Sequence, residues 1–133
     1  MNKETRGNEM NKEEVLDIVE GIIANATKTG ADYLLRFGST NNCYTANYWV
    51  TQMLNNEGIY TDCVKCTYRE MNLGHAVALV EGSIVVDVAN IDVLGARTWD
   101  LVDYITEQNM ANAVPYDVKT AGEIVHKEHL NII

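Results

Sequence analysis

Residues 74–89, GHAVALVEGSIVVDVA, form the stretch of sequence that decides the fold. Two apolar runs rich in valine, over 75–80 and 83–89, flank the pair Glu81-Gly82, which suits a tight turn. The side chains that would point to either face of this hairpin are mostly apolar. The hairpin is therefore predicted to be a buried, central part of a β-sheet.

The hairpin carries one histidine and one carboxylate, His75 at its start and Asp87 near its end. A two-residue turn would pair position 75 with 88 and turn Asp87 to the other face. A turn with a bulge at Gly82 would pair His75 with Asp87 on one face, since glycine readily takes a left-handed conformation. In that second register, which the sequence permits, Asp87 can orient His75 and stabilise its charged form. A carboxylate buried without such a partner would be costly.

A helix is predicted over residues 43–56, CYTANYWVTQMLNN, beginning at Cys43. Residues 39–42 are all of types favoured at a helix N-cap, and Gly58 is a suitable stop signal. The periodicity turns Cys43 toward the inward face of the helix. The helix dipole and the free backbone amides at a helix N-terminus stabilise a thiolate, and the amides can also hold an oxyanion. Cys43 is therefore a candidate nucleophile.

The remaining chain is divided among helices and one strand. Residues 1–11 are predicted to be flexible. Thr98 is expected to cap a late helix that turns Trp99 inward, and Asn90 is expected to follow the second hairpin strand and line a cleft. The full set of further elements is a helix over 13–26, a helix or turn over 31–37, a strand over 59–68, a helix over 98–108 and a short helix over 120–130.

Composition limits the possible functions of the chain. Its 133 residues suit one domain, and its net charge of −9 repels phosphate backbones, so nucleic acid is not an expected partner. No apolar run is long enough to span a membrane, and residues 1–14 lack the apolar core of a signal peptide. Three cysteines do not make a disulfide framework. A cytoplasmic protein with reduced thiols is therefore expected.

Metal binding is an alternative that the sequence disfavours. Cys63 and Cys66 form a C-x-x-C pair, and a zinc site would need Cys43 and His75 as its further ligands. On a strand, however, Cys63 and Cys66 would face opposite sides. A second candidate set of metal ligands consists of Glu123, His126 and His129, which share a predicted helical face. They are interpreted as part of a solvated amphipathic helix. No metal and no cofactor are predicted.

The order and spacing of these motifs resembles the papain-like cysteine peptidase superfamily, most closely its compact transglutaminase-like and papain-fold toxin branches. The resemblance covers roughly residues 39–105. The matching pieces are Cys43-Tyr-Thr-Ala46, Leu54 with Gly58-Ile59, Gly74-His75-Ala76-Val77, Gly82, Val86-Asp87, and Leu94-Gly95 followed by Trp99. Where papain has an oxyanion-donating glutamine before its cysteine, this chain has Phe37, and Asn41 and Asn42 are the candidate substitutes.

The resemblance implies an α+β fold in which the Cys43 helix packs on a small antiparallel sheet, flanked by additional helices, with residues 12–133 as a single catalytic domain. It implies a hydrolase or acyl/amide transferase (peptidase, amidase or glutamine deamidase) acting through a thioester on a protein or peptide, or on a small amide. Cys43 would be the nucleophile, His75 the base and Asp87 its orienter, with Asn42, Asn90 and Trp99 at the substrate. The alternatives are a catalytically silent binding or inhibitor module of the same fold, and a metal-binding regulator.

Overall fold

A computed structural model describes residues 10–37, 42–68, 74–107 and 110–115. Along these residues, helices are interspersed with the strands of one β-sheet. The elements are α1 (Lys12–Thr29), α2 (Tyr33–Arg36), α3 (Cys43–Asn56), β1 (Thr61–Tyr68), β2 (Gly74–Val80), β3 (Ile84–Asp87), α4 (Ile91–Leu94), β4 (Arg97–Asp100), α5 (Leu101–Glu107) and β5 (Met110–Pro115). The predicted helices over 13–26 and 43–56 are confirmed as α1 and α3. The predicted helix over 120–130 and residues 1–9 lie outside the described residues.

The strands form one antiparallel sheet in the order β4-β3-β2-β1-β5. The hairpin of β2 and β3 therefore lies inside the sheet, as its apolar sequence predicted. The fold is α+β, with helices packed on a small antiparallel sheet, and this part of the expectation is confirmed.

Helices cover both faces of the sheet. On one face, α1 and α3 bury a core with Ala78, Val80 and Val86, and the contributing helix residues include Val19 and Val50. On the opposite face, Tyr104 of α5 packs in a smaller cluster that includes Val64, Val77 and Val85. Successive side chains along β2 and β3 therefore point alternately to the face covered by α1 and α3 and to the face covered by α5.

The hairpin register differs from both registers considered for the sequence. Val80 pairs with Ile84 and Ala78 with Val86. Backbone φ is positive at both Glu81 (51°) and Gly82 (73°), and the three-residue loop over 81–83 lies one position further along the chain than the loop of the second predicted register. Continued by two positions, the observed register sets position 76 opposite position 88. Because this shift from the second predicted register is an even number of residues, His75 and Asp87 still share a face.

The helix predicted over 98–108 is wrong at its start. Thr98 and Trp99 belong to β4, where they pair with Val86 and Val85, and the helix begins only at Leu101. The β-branched and aromatic side chains favour a strand, and that strand pairs with β3 along the side that β2 leaves open. The Thr98 hydroxyl donates to the carbonyl of Lys12 (3.0 Å) and so does not cap a helix.

Strand β5 was not predicted, because residues 110–115, MANAVP, show no clear alternation of apolar and polar residues. Its backbone pairs with β1. Among the helices within the described ranges, none has both the length and the apolar character required to cross a membrane.

Candidate active site

Cys43 is the first residue of α3 and only 3% of its surface is exposed. Asn42 occupies the N-cap position of α3, where its carbonyl accepts from the amide of Ala46 (2.9 Å) but its side chain makes no cap hydrogen bond. Its side-chain amide donates to the carbonyl of Leu35 (3.0 Å) and its oxygen accepts from the backbone amide of Asn90 (3.1 Å). Asn42 therefore ties the start of the helix to α2 and to the segment after β3, which corrects the expectation of a side-chain cap. Residues 39–41 lie outside the described residues.

His75 and Asp87 meet at the end of the sheet where β2 begins and β3 ends. The Nε2 atom of His75 lies 2.8 Å from Oδ2 of Asp87, and their side chains are 15% and 7% exposed. The side chain of Cys43 is close enough to His75 to help raise the pKa of His75. Since Nε2 is bonded to Asp87, Nδ1 is the ring nitrogen left for the thiol. The structure thus brings together the three residues that the sequence predicts as nucleophile, base and orienting residue.

The charge state of this group follows from its contacts. Burial alone would lower the pKa of His75, but hydrogen bonds and charge interactions with Asp87 and Cys43 outweigh it and raise the pKa of His75 from 6.5 to about 9. Burial would raise the pKa of Asp87, but the hydrogen bond and charge of His75, aided by Asn47 and Arg97, lower it. His75 is therefore an imidazolium and Asp87 a carboxylate at neutral pH.

Asp87 is a buried carboxylate with several donors around it. Besides His75, its Oδ1 atom accepts from Nδ2 of Asn47 (2.9 Å) and from the backbone amide of Ala89 (2.9 Å). The guanidinium of Arg97, on the paired position of β4, lies 3.6 Å from the same oxygen. These contacts offset the desolvation cost of burying the charge.

Asn47 is the participant that the sequence interpretation missed. It is fully buried, and its Nδ2 atom donates to the carbonyl of Ala76 (2.8 Å) as well as to Asp87, while its Oδ1 atom accepts from the backbone amide of Val88 (2.8 Å). The sequence contains a signal for the role of Asn47. Asn47 lies one helical turn after Cys43, next to an apolar stripe, where a polar side chain requires a partner.

A pocket of about 240 Å³ opens between the start of α3 and the segment after β3, and Cys43 itself is not one of its lining residues. Asn42, which directly precedes the cysteine, and Asn90, which follows β3, form part of its wall. The other lining residues are the apolar Leu35, Ile91 and Val93 and the ion pair of Arg36 with Asp92. Two of the three predicted substrate-contacting residues therefore lie at one concavity.

Trp99, the third residue nominated for the substrate, lies elsewhere. Its ring packs against Tyr104 of α5, with ring centroids 4.8 Å apart, and it joins the cluster around Val77 and Val85. It is not among the residues that line the pocket.

The other cysteines differ from Cys43 in their surroundings. Cys63, on β1, is buried with Ala76 of β2 and packs against Tyr44 and Tyr48 of α3. The backbone of Cys66 pairs with that of His75 in the β1–β2 ladder. Within the described part of the chain, no group of three or more His, Cys, Asp or Glu side chains is arranged to hold a metal ion.

Comparison with known proteins yields no match, whether with protein-family models, with curated proteins or with solved structures. Functional inference for this chain therefore rests on the geometry of its own residues.

Proposed function

We propose that this protein is a cysteine hydrolase or acyl/amide transferase in which Cys43 is the nucleophile, His75 the acid and base, and Asp87 the residue that orients His75. The observation that carries the proposal is that His75 lies between Asp87, 2.8 Å from its Nε2 atom, and Cys43, whose side chain helps raise the pKa of His75. A histidine between a nucleophile and a carboxylate is the arrangement that activates a side-chain nucleophile on unrelated folds.

The element order supports a papain-like core for the fold. The cysteine starts a helix that packs on the sheet, the histidine lies near the start of a later strand, and the aspartate ends the next antiparallel strand. The same order of nucleophile, base and orienting residue characterises the superfamily that the sequence resembles.

In the proposed reaction, the Cys43 thiolate attacks the carbonyl carbon of an amide, ester or thioester, forming a C–S bond and moving the carbonyl π electrons onto oxygen. The backbone amide of Cys43, at the N-terminus of α3, is the candidate donor to this oxyanion. Collapse of the intermediate breaks the bond to the leaving group, which takes a proton from the His75 imidazolium. A thioester on Cys43 remains.

The second half of the reaction decides between hydrolysis and transfer. Neutral His75 takes a proton from water or from an amine, which attacks the thioester carbonyl, and Cys43 leaves as thiolate. Asp87 stabilises the imidazolium at each step. The pocket beside Asn42 and Asn90 is the proposed position for a substrate group next to the attacked carbonyl, in a protein, a peptide or a small amide.

A p-nitrophenyl acetate assay tests the chemistry without a known substrate. We expect the wild-type protein to release a burst of nitrophenolate and to carry one acetyl group, mapped to Cys43 by peptide mass spectrometry. Cys43→Ala should lose the burst and the adduct, whereas Cys63→Ala, which removes a buried thiol packed against Ala76, should retain both. Acetylation of the wild type and Cys43→Ala to the same extent would contradict the proposal.

One observation favours a second candidate, a binding module that keeps the fold without catalysis. The surface of Cys43 is only 3% exposed, so a substrate carbonyl can reach the sulfur only if neighbouring groups move aside. A silent module would leave Cys43 unacetylated in the same assay while Cys43→Ala folds normally.

A further inference from the structure

Asn47 connects the helix that carries the nucleophile to both strands that carry its partners. It is one helical turn from Cys43, and its single carboxamide bonds to Ala76 on β2, to Asp87 at the end of β3 and to Val88 just beyond. All three hydrogen bonds are 2.8–2.9 Å long. A shift of α3 relative to the hairpin would break them in a fully buried place, where unsatisfied groups are costly.

The same carboxamide interrupts the sheet next to the site. The regular pairing of β2 and β3 ends at Ala78 opposite Val86, and Ala76 and Val88 lie opposite each other two positions further along the same register. The carbonyl of Ala76 and the amide of Val88 both bond to Asn47. The side chain thus stands in the place of an interstrand hydrogen bond, directly beside His75 and Asp87.

The contact with Asp87 determines which carboxylate oxygen faces the histidine. Asn47 and the amide of Ala89 hold Oδ1, which leaves Oδ2 for His75. Without Asn47, the carboxylate would have one donor fewer on Oδ1, and the guanidinium of Arg97, 3.6 Å from that oxygen, would compete for it. A rotated Asp87 would no longer fix the His75 ring.

We propose that Asn47 is the positioning residue that holds Cys43, His75 and Asp87 in one reactive geometry. The role rests on the proposed function, because it concerns the geometry of the same site. Asn47 acts through Asp87 and through the placement of α3, so it is not itself a catalytic residue.

The chain contains a matched control on the same helix. Asn55, two turns further along α3, also bridges helix and sheet, with its Nδ2 atom donating to the carbonyl of Thr61 (2.9 Å) and its Oδ1 atom accepting from the amide of Thr61 (3.0 Å). Asn55→Ala therefore removes a bridge of the same chemistry without touching Asp87. A difference between the effects of Asn47→Ala and Asn55→Ala can therefore be attributed to the contacts that Asn47 makes at the site.

The test measures two properties of the folded protein, the proton NMR signal of the Nε2–H group of His75 and the rate at which iodoacetamide alkylates Cys43. A histidine N–H held by a buried carboxylate is shifted far downfield and exchanges slowly with water. We expect Asn47→Ala to lose this signal and to alkylate Cys43 about tenfold more slowly than the wild type at neutral pH. Asn55→Ala should keep the signal and stay within about twofold of the wild-type rate.

Asn47→Ser, whose hydroxyl is too short to reach Asp87, should behave like Asn47→Ala and decides the question if the alanine variant does not fold. The proposal is overturned if both Asn47 variants keep the signal and the rate, or if Asn55→Ala loses them equally. If instead the wild type shows the His75 signal but Cys43 reacts no faster than Cys63, the proposed function fails while the positioning role of Asn47 is still measured by the signal.

Discussion

Replacing Asp87 with alanine is expected to lower the free energy of unfolding by about 3 kcal/mol, because it leaves a buried charge and buried donors without their acceptor. The His75 imidazolium would lose its nearest anion. The side-chain amide of Asn47 and the backbone amide of Ala89 would each lose a hydrogen bond to Oδ1. The same substitution should bring the pKa of His75 down from about 9, since Asp87 is one of the two residues that raise it.

Urea denaturation at pH 6 provides the measurement, with Asp92→Ala as its control. Asp92 also pairs with a cation, Arg36, but its side chain is 68% exposed, so its removal should cost less than about 1 kcal/mol. Equal losses for the two variants would mean that the Asp87 network contributes no more than a surface ion pair.

Alkaline pH is expected to destabilise the protein in an interval set by His75. A group whose pKa is raised by folding contributes its full stabilisation below its unfolded value and loses that contribution as pH rises through its folded value. For His75 these limits are 6.5 and about 9. At about 1.4 kcal/mol per pH unit, the interval corresponds to a loss of up to about 3 kcal/mol. Asp87 acts in the opposite direction: its pKa is lowered, so its contribution is present above its ordinary value of 3.8 and lost as pH falls below it.

The prediction is checked by the unfolding free energy measured from pH 4 to pH 9. A plateau should extend from about pH 4 to 6.5 and be followed by a decline. In His75→Ala the decline toward pH 9 should flatten. A wild-type curve that stays level up to pH 9 would show that His75 is not an imidazolium paired with Asp87 in the folded protein.

The sequence predicted those parts of the site that depend on local pattern. The inward face of α3 and its start at Cys43 follow from the helical period and the run of cap-type residues. That His75 and Asp87 share a face follows from the period of two along a strand, which is why an error of two residues in the register did no harm. A one-residue error would have separated them.

Contacts between distant segments were beyond prediction. The observed position of the loop between Val80 and Ile84 includes a positive φ at Glu81, a non-glycine residue for which this conformation is uncommon. The local sequence does not decide between a helix and a strand at Trp99, and its place in β4 follows from pairing with the edge of β3. The position of Asn47 next to an apolar stripe indicates that it requires a partner, but its partners Ala76, Asp87 and Val88 are far from it in sequence.

The alkylation of the cysteines by iodoacetamide at neutral pH, followed by peptide mass spectrometry, tests the central claim most directly. We expect Cys43 to be labelled before Cys63 and Cys66, and His75→Ala to slow the labelling of Cys43 about tenfold, because the imidazolium that stabilises the thiolate is gone. In urea, where the fold is lost, the three thiols should react alike. Equal labelling of the three cysteines in the folded protein, or an unchanged rate at Cys43 in His75→Ala, would contradict the assignment of Cys43 and His75 as a nucleophile and its base.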